Sequence, residues 1–289
     1  MRFFKFLETN GLYVIWFLIY FTLAWLMLGA RLESFIIVSI IYGISISIAL
    51  SPLGEVILRM TEGCREPFTE QEKNYLLPLF EEAYEYALEL NPSLNKGIKI
   101  YIMDAMYVNA FAMGRQTVAV TMGAMETFTP DELKGIIAHE LGHITHGHTK
   151  ALLLAVVGNF FFSVIVLVLR IILYLIQFIS SIVAHFNVVG IAFALLTFVT
   201  RIFMNIAIFV FIHLSEMILA LNSRSNEIQA DTFAYEIGYG KELISGMYLL
   251  QKISMNTNVG FMDKMKASHP HIGCRIANLE RLENEGYEE

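Results

Sequence analysis

His139 and His143 stand four residues apart with Glu140 between them, in the run TPDELKGIIAHELGHITHGHTK at 129–150. Four residues make about one helical turn, so on a helix both imidazoles share a face. Two neutral imidazoles so placed form half of a tetrahedral zinc site, and the adjoining carboxylate can take a proton from a metal-activated water. The run also supplies its own helix start. Thr129 can cap, Pro130 suits the first helical position, and Glu132 completes a capping box. Leu133, Ile136, Ile137, Leu141 and Ile144 then recur as an inward-packing apolar face.

The remaining ligand must come from elsewhere. A metzincin would have glycine at 146 and histidine at 149, where this chain has His146 and Thr149. His146 and His148 are expected to be exposed at the helix end, where cations suit the negative pole of the dipole. A better candidate pair is Glu227 and Asp231, in SRSNEIQADTFAYEIG from position 223. They are four apart and so share a helical face. Either carboxylate can close a zinc site, while the other accepts the outward N–H of a ligating imidazole and sets its tautomer.

These elements have to be held in a chain that is 56% hydrophobic and 16% charged over 289 residues. A soluble protein averages about 25% charged, and the composition is that of a membrane protein. The net charge of −7 and the lack of Lys/Arg clusters set nucleic-acid binding aside. Cys64 and Cys274, the two cysteines, are far apart with no C-x-x-C, and are expected to be free thiols.

Residues 9–30 carry no charge and suffice to cross a bilayer core of ~30 Å. The apolar run is too long for a signal peptide, and no soluble domain follows it. Arg31 and Glu33 break the run, and residues 34–54 form a second uncharged span. Charges then return at ordinary density. The segment from Thr69 begins with a T-x-x-E box and carries Leu76, Phe80, Ala83, Ala87 and Leu90 at helical spacing, with Pro78 as a candidate kink. Residues 98–104 and 116–123 are strand candidates. An edge strand beside the histidine helix could pair with an extended peptide.

Residues 151–223 are hydrophobic almost throughout. Glu227 must reach the face of the membrane that holds His139, so the number of crossings between them is even. Two spans are expected, roughly 151–174 and 188–215, with a turn near 180–187; both exceed the ~20 residues needed, which implies tilt. Thr197, Arg201 and Asn205 form a polar stripe in the second, read chiefly as an interhelical contact. Arg2, Lys5, Arg59, Arg65 and Lys150 on one side, against Arg31 and Arg170 on the other, favour a cytoplasmic water-facing domain.

Four blocks carry a specific resemblance: VNAFAMG at 108–114, TPDELKGIIAHELGHITHGH at 129–148, SRSNEIQAD at 223–231 and SHPHIGCRIANL at 268–279. With two spans before the domain and two inside it, the chain resembles the HtpX family of membrane-embedded zinc metalloproteases, related more distantly to the CAAX prenyl endopeptidases. The resemblance implies a gluzincin holding one Zn²⁺ per chain through His139, His143 and Glu227. Glu140 is then the general base and Asp231 the orienting carboxylate. It further implies that Asn109 holds substrate backbone, that His269 stabilises the oxyanion, and that Arg224 or Arg275 pairs with the site carboxylates. An Asn amide has the donor and acceptor this needs, and a histidine donor can face developing charge. His271-Ile-Gly-Cys and Met106-Tyr107 depart from the family pattern without touching a proposed ligand.

The expected fold is therefore an α+β membrane protein: four transmembrane helices with a mainly helical zincin-like catalytic domain carrying a small β-sheet. Its parts are two N-terminal spans (1–54), the first half of the catalytic domain (55–150), a transmembrane hairpin (151–222) and the second half (223–289). The expected activity is zinc-dependent cleavage of protein or peptide substrates, in membrane-protein quality control, at a bacterial-type inner membrane with the domain facing the cytoplasm. A zinc-binding scaffold that does not cut, a transporter using Arg201 and a prenyl-protein endopeptidase are the other readings of the same residues. Oligomeric state is not legible in the sequence.

Overall fold

The computed structural model describes residues 2–185, 188–255 and 272–285. Its helices begin where the caps place them. α1 (Arg2–Met27) and α2 (Leu32–Ala49) form an antiparallel N-terminal pair whose contact is aromatic, with Phe17 and Phe21 edge-on to Tyr42. After Ser51 caps it and Pro52 takes its first position, α3 (Pro52–Thr61) starts as a separate helix. The second span therefore ends at Ala49 rather than at residue 54: composition shows no charge before Glu55, but the Ser-Pro cap interrupts the helix first.

The water-facing body follows. α4 (Glu70–Leu90) is capped by the Thr69–Glu72 box and buries Leu76, Phe80, Ala83 and Ala87, the predicted face apart from Leu90, which is exposed. Pro78 lies inside it without ending it. Four strands make one sheet in the order β1-β2-β4-β3, with β1 (Cys64–Arg65), β2 (Lys99–Met103), β3 (Ala110–Met113) and β4 (Thr117–Thr121). β2 and β4, the two predicted strands, pair in parallel. β3, which falls in the Asn-Ala-Phe-Ala block, pairs antiparallel with β4 and forms the sheet edge. Every residue of β4, one of the two interior strands, is buried.

Short α5 (Met122–Thr127) leads to α6 (Pro130–His146), which has the predicted Thr129–Glu132 capping box. Its apolar face of Leu133, Ile136, Ile137, Leu141 and Ile144 is buried in one core with Phe80, Ile102, Val118, Phe233 and Leu243. Gly147, at φ 76°, ends α6 in the left-handed region that glycine adopts without strain, and α7 (His148–Val183) begins at the next residue. α8 (Val188–Glu236) then runs unbroken for 49 residues, about 74 Å at 1.5 Å per residue. α9 (Gly240–Met255) and α10 (Ile272–Glu285) close the body.

Among the described residues three helical stretches are long and apolar enough to cross a membrane: Leu32–Ala49, Val166–Val183 in α7 and Val188–Phe211 in α8. α1 adds a shorter apolar run, Val14–Met27. α7 continues past residue 174 as far as Val183, so the turn sits at the end of the predicted stretch. Ser180 and Thr197 bond across the hairpin at 3.0 Å, and the Arg201 guanidinium lies 5.3 Å from the Tyr174 ring. Thr197 and Arg201 of the polar stripe thus make interhelical contacts. Cys64 and Cys274 are free.

The close approach of α6 to its neighbours depends on glycine. A Cβ on Gly135 would stand 2.5 Å from the backbone nitrogen of Leu243, at the start of α9. Overpacking of this kind costs about 1–3 kcal/mol, against a helix-propensity gain of at most about 1 kcal/mol. Gly135→Ala is accordingly expected to lower thermal stability, read as a drop in the unfolding midpoint of the purified protein.

Candidate metal centre

Gly142, between the two histidines, brings α6 against α8. A Cβ there would lie 2.9 Å from Cα of Ala230, so the helices cross at a small-residue contact. Ala230 sits between Glu227 and Asp231, just as Gly142 sits between His139 and His143. The crossing therefore sets both carboxylates against both imidazoles. His139 Nε2 is 3.4 Å from Glu227 Oε2, His143 Nε2 is 3.5 Å from Glu227 Oε1, and the two Nε2 atoms are 3.1 Å apart. A ligand atom from each of the three residues falls within 4.8 Å of the others.

The hydrogen-bond partners assign the tautomers. His139 Nδ1 is 2.9 Å from Asp231 Oδ1. A carboxylate only accepts, so Nδ1 carries a proton, and in the neutral ring it is Nε2 that keeps the lone pair. On the other ring, His143 Nδ1 is 2.9 Å from His148 Nδ1, while His148 Nε2 is 3.4 Å from Gln229 Oε1. The amide oxygen accepts from His148 Nε2–H, so His148 Nδ1 accepts from His143 Nδ1–H. His143 Nε2 is left with its lone pair as well. With both rings neutral, two nitrogen lone pairs and a buried carboxylate face one another, a donor set that favours positive charge among them. Such a set of two imidazoles and a carboxylate is a standard tetrahedral zinc set with one position open.

The charges around the site agree. Glu227 and Asp231 are buried, at 2% and 0% exposure. Arg275 of α10 donates to both Asp231 oxygens, Nε at 2.8 Å and a terminal nitrogen at 2.6 Å, and its other terminal nitrogen lies 2.8 Å from Glu227 Oε2. Burial by itself would raise Asp231; the bonds from Arg275 and His139 outweigh it and hold the carboxyl below its ordinary range. Burial likewise works against charge on His139, as does Arg275, yet its contacts with Asp231 and Glu227 carry it up to about 9. That is the same preference for positive charge between these groups. Burial, then the neighbouring His143 and His146, pushes His148 down to about 3, which keeps it neutral.

Of the residues singled out in the sequence, His139, Glu140, His143, Glu227 and Asp231 are brought together. Glu140 is buried on α6 between the histidines. Asn109, exposed, directly precedes the edge strand, and its backbone is tied on both sides to Thr121: its N–H donates to Oγ1 and its carbonyl accepts from N–H, each at 3.0 Å. His269 and the side chain of Arg224 lie outside the described residues. The expectation of an exposed His148 is overturned: it is 4% exposed and bonded to His143. Gly147 is the physical reason, since its left-handed turn ends α6 and points the next side chain back under the site. His146 is half-buried, stacked on His148 with 5.5 Å between ring centroids. Sequence spacing could not reveal His148 or Gln229, because both act across a helix break or from a neighbouring helix. Arg275, rather than Arg224, is the arginine seen bound to both carboxylates among the described residues.

Comparison with known proteins follows this geometry. The model of peptidase family M48 matches residues 76–283. The chain belongs to peptidase family M48. Its curated relatives include a protease HtpX of Pseudomonas putida, 28% identical over 288 residues and covering 87% of this chain and 86% of the relative. A protease HtpX of Alcanivorax borkumensis is 27% identical with the same coverage, and a protease HtpX homolog of Methylacidiphilum infernorum is 26% identical over 88% of each chain. Among solved structures, Ste24p of S. mikatae superposes with a TM-score of 0.51 at 17% identity, covering 91% of this chain. The chain spans 62% of that longer protein, and the likeness is one of fold. As an M48 member with apolar membrane-length helices, the protein is a membrane metallopeptidase.

Two outcomes follow from the wiring. His148→Phe removes the acceptor for His143 Nδ1–H and is expected to weaken metal affinity about 10–100-fold, measured by competition with a chelator. Arg275→Met leaves two buried carboxylates without their guanidinium and should destabilise the metal-free protein by about 3–5 kcal/mol. Thermal unfolding with and without added zinc checks this, since a bound cation should restore part of the loss.

Proposed function

We propose that the protein is a zinc-dependent endopeptidase in which His139, His143 and Glu227 hold one Zn²⁺ and Glu140 is the general base. The observation that carries this reading is the pair of imidazole lone pairs converging with Glu227, their outward nitrogens fixed by Asp231 and His148. Bound zinc supplies Lewis acidity, lowering the pKa of a water to ~7 and polarising the scissile carbonyl. Glu140 accepts the proton of the attacking water and delivers it to the leaving amine nitrogen, so that a peptide bond and a water become a carboxylate and an amine.

Arg275 and Asp231 keep His139 oriented throughout, and Arg275 balances the charge of Glu227. Among the described residues no strand pairs with the outer edge of β3, which lies against α6; an extended substrate can add there as a further strand, with Asn109, just before β3, as the substrate-holding side chain. His269, which lies outside the described residues, keeps its proposed part in stabilising the oxyanion. The substrates we propose are membrane proteins, in keeping with a quality-control role; the distribution of Lys and Arg favours the cytoplasmic side for the site, and the likeness to HtpX proteases supports a bacterial inner membrane.

Casein, an unstructured protein, is the first substrate to try. The purified protein should cleave it, lose that activity to a chelator and regain it with zinc. Glu140→Gln should keep its zinc and lose cleavage by at least a hundredfold. Glu227→Ala should lose the metal itself, measured as zinc per chain. Cleavage by Glu140→Gln at normal zinc content would overturn the assignment of the base.

A further inference from the structure

α3 is built inside out for a helix of a water-soluble domain. Its charged residues face inward: Glu55 is buried, and the Arg59 side chain is 19% exposed. Its apolar residues face outward. Leu53, Val56, Ile57 and Met60, spaced i, i+3, i+4 and i+7, form one stripe that is 58%, 39%, 49% and 76% exposed. Leu50 and Ser51 alone separate this helix from α2, whose Leu32–Ala49 stretch is membrane-spanning in length and composition. The stripe therefore continues a lipid-facing surface at the level where the chain leaves the bilayer.

The inward face is fastened to the sheet. Glu55 Oε1 accepts the backbone N–H groups of Arg115 and of Gln116, the latter at 2.9 Å, in the tight turn that joins β3 to β4. Gly114 makes that turn at φ 59°, and a Cβ there would collide with the Glu55 carboxylate. Arg59 donates to Thr117 Oγ1 at 2.9 Å and lies 4.7 Å above the Tyr101 ring. From the other side Thr149, at the start of α7, donates to the Gly114 carbonyl at 2.5 Å. The tip of the β3–β4 hairpin is thus clamped between α3, which follows the α2 span after two residues, and α7, which continues into a span. Burial first, and then the charge of Arg115 at the tip, hold the Lys150 ammonium below its ordinary range, so these two cations lie near each other. Anionic headgroups would meet them there.

We propose that α3 is an interfacial helix, with Leu53, Val56, Ile57 and Met60 sunk to the headgroup–acyl boundary of an anionic bilayer. Through Glu55 and Arg59 it sets the height of the β3 edge above the lipid. Resting on the peptidase reading, this makes the substrate class chain segments next to a membrane: a strand that adds to β3 must lie within reach of the bilayer surface.

The test uses the full-length protein in nanodiscs of mixed neutral and anionic phospholipid, one copy per disc. After Cys64→Ser and Cys274→Ser, spin labels are placed singly through Leu53→Cys, Val56→Cys, Ile57→Cys and Met60→Cys, with Glu81→Cys on exposed α4 as the water reference. The four stripe labels are expected to be accessible to oxygen and shielded from a water-soluble nickel complex, and the reference to show the reverse. Nickel access equal to the reference overturns the interfacial helix. Shielding that appears only when two copies share a disc overturns it too, in favour of a contact between copies. For the substrate class, Ile57→Asp should keep its zinc and cleave casein within twofold of the parent, while cleavage of a lipid-anchored peptide falls at least tenfold. Equal cleavage of the anchored peptide overturns the substrate class. Failure of the parent to cleave either substrate overturns the peptidase reading, and the label pattern still decides the helix.

Discussion

Two carboxylates buried side by side are the constraint on which the site rests. Glu227 and Asp231 lie one turn apart on α8, both nearly without exposure. A buried carboxylate is costly unless positive charge and hydrogen bonds replace its water. Asp231 is satisfied by Arg275 and by the N–H of His139. Glu227 has one oxygen toward Arg275 and both toward imidazole nitrogens. The guanidinium covers part of this negative charge from α10, and a metal ion held among the nitrogens would cover the rest. Electrostatic balance and metal affinity are here the same arrangement seen from two sides.

That arrangement demands that α6, α8 and α10, from distant parts of the chain, approach within bonding distance, with α9 packed behind α6. Gly142 against Ala230 makes the α6–α8 approach, and Gly135 against Leu243 makes the approach of α9. The body is held by an apolar core that joins α4, the sheet, α6, α8, α9 and α10, so the polar centre sits beside a continuous dry interior. In such surroundings each tautomer has one satisfactory solution. His139 leans on a carboxylate and His143 on a neutral histidine, so two chemically different partners produce the same presentation of Nε2.

Local signals in the sequence were the easiest to read. Thr129, Pro130 and Glu132 announce α6, and Thr69 with Glu72 announces α4, because a cap depends on residues within one turn. The E-x-x-x-D pair was legible because helical spacing carries through from sequence to face. What depends on contacts between elements was not. β3 has four half-buried residues with no alternation, so no period marks it as a strand. α3 merges with the preceding uncharged run until a cap separates them. His148 was misplaced because helical phase was extended across Gly147, where the backbone turns left-handed. Arg275 could be weighed only alongside Arg224, since nothing near it in the chain shows which carboxylates it meets.

α8 has a mechanical consequence. Its 49 residues include both a stretch fit to cross a bilayer and the segment bearing Glu227 and Asp231, with no proline or break between them. The opposing imidazoles ride on α6, which joins α7 through the single residue Gly147. A piston-like slip of the α8 rod by one residue's rise, about 1.5 Å, would carry Glu227 off its imidazole partners. The placing of Glu227 against its imidazole partners and the placing of the apolar stretch are thus a single setting of one rod.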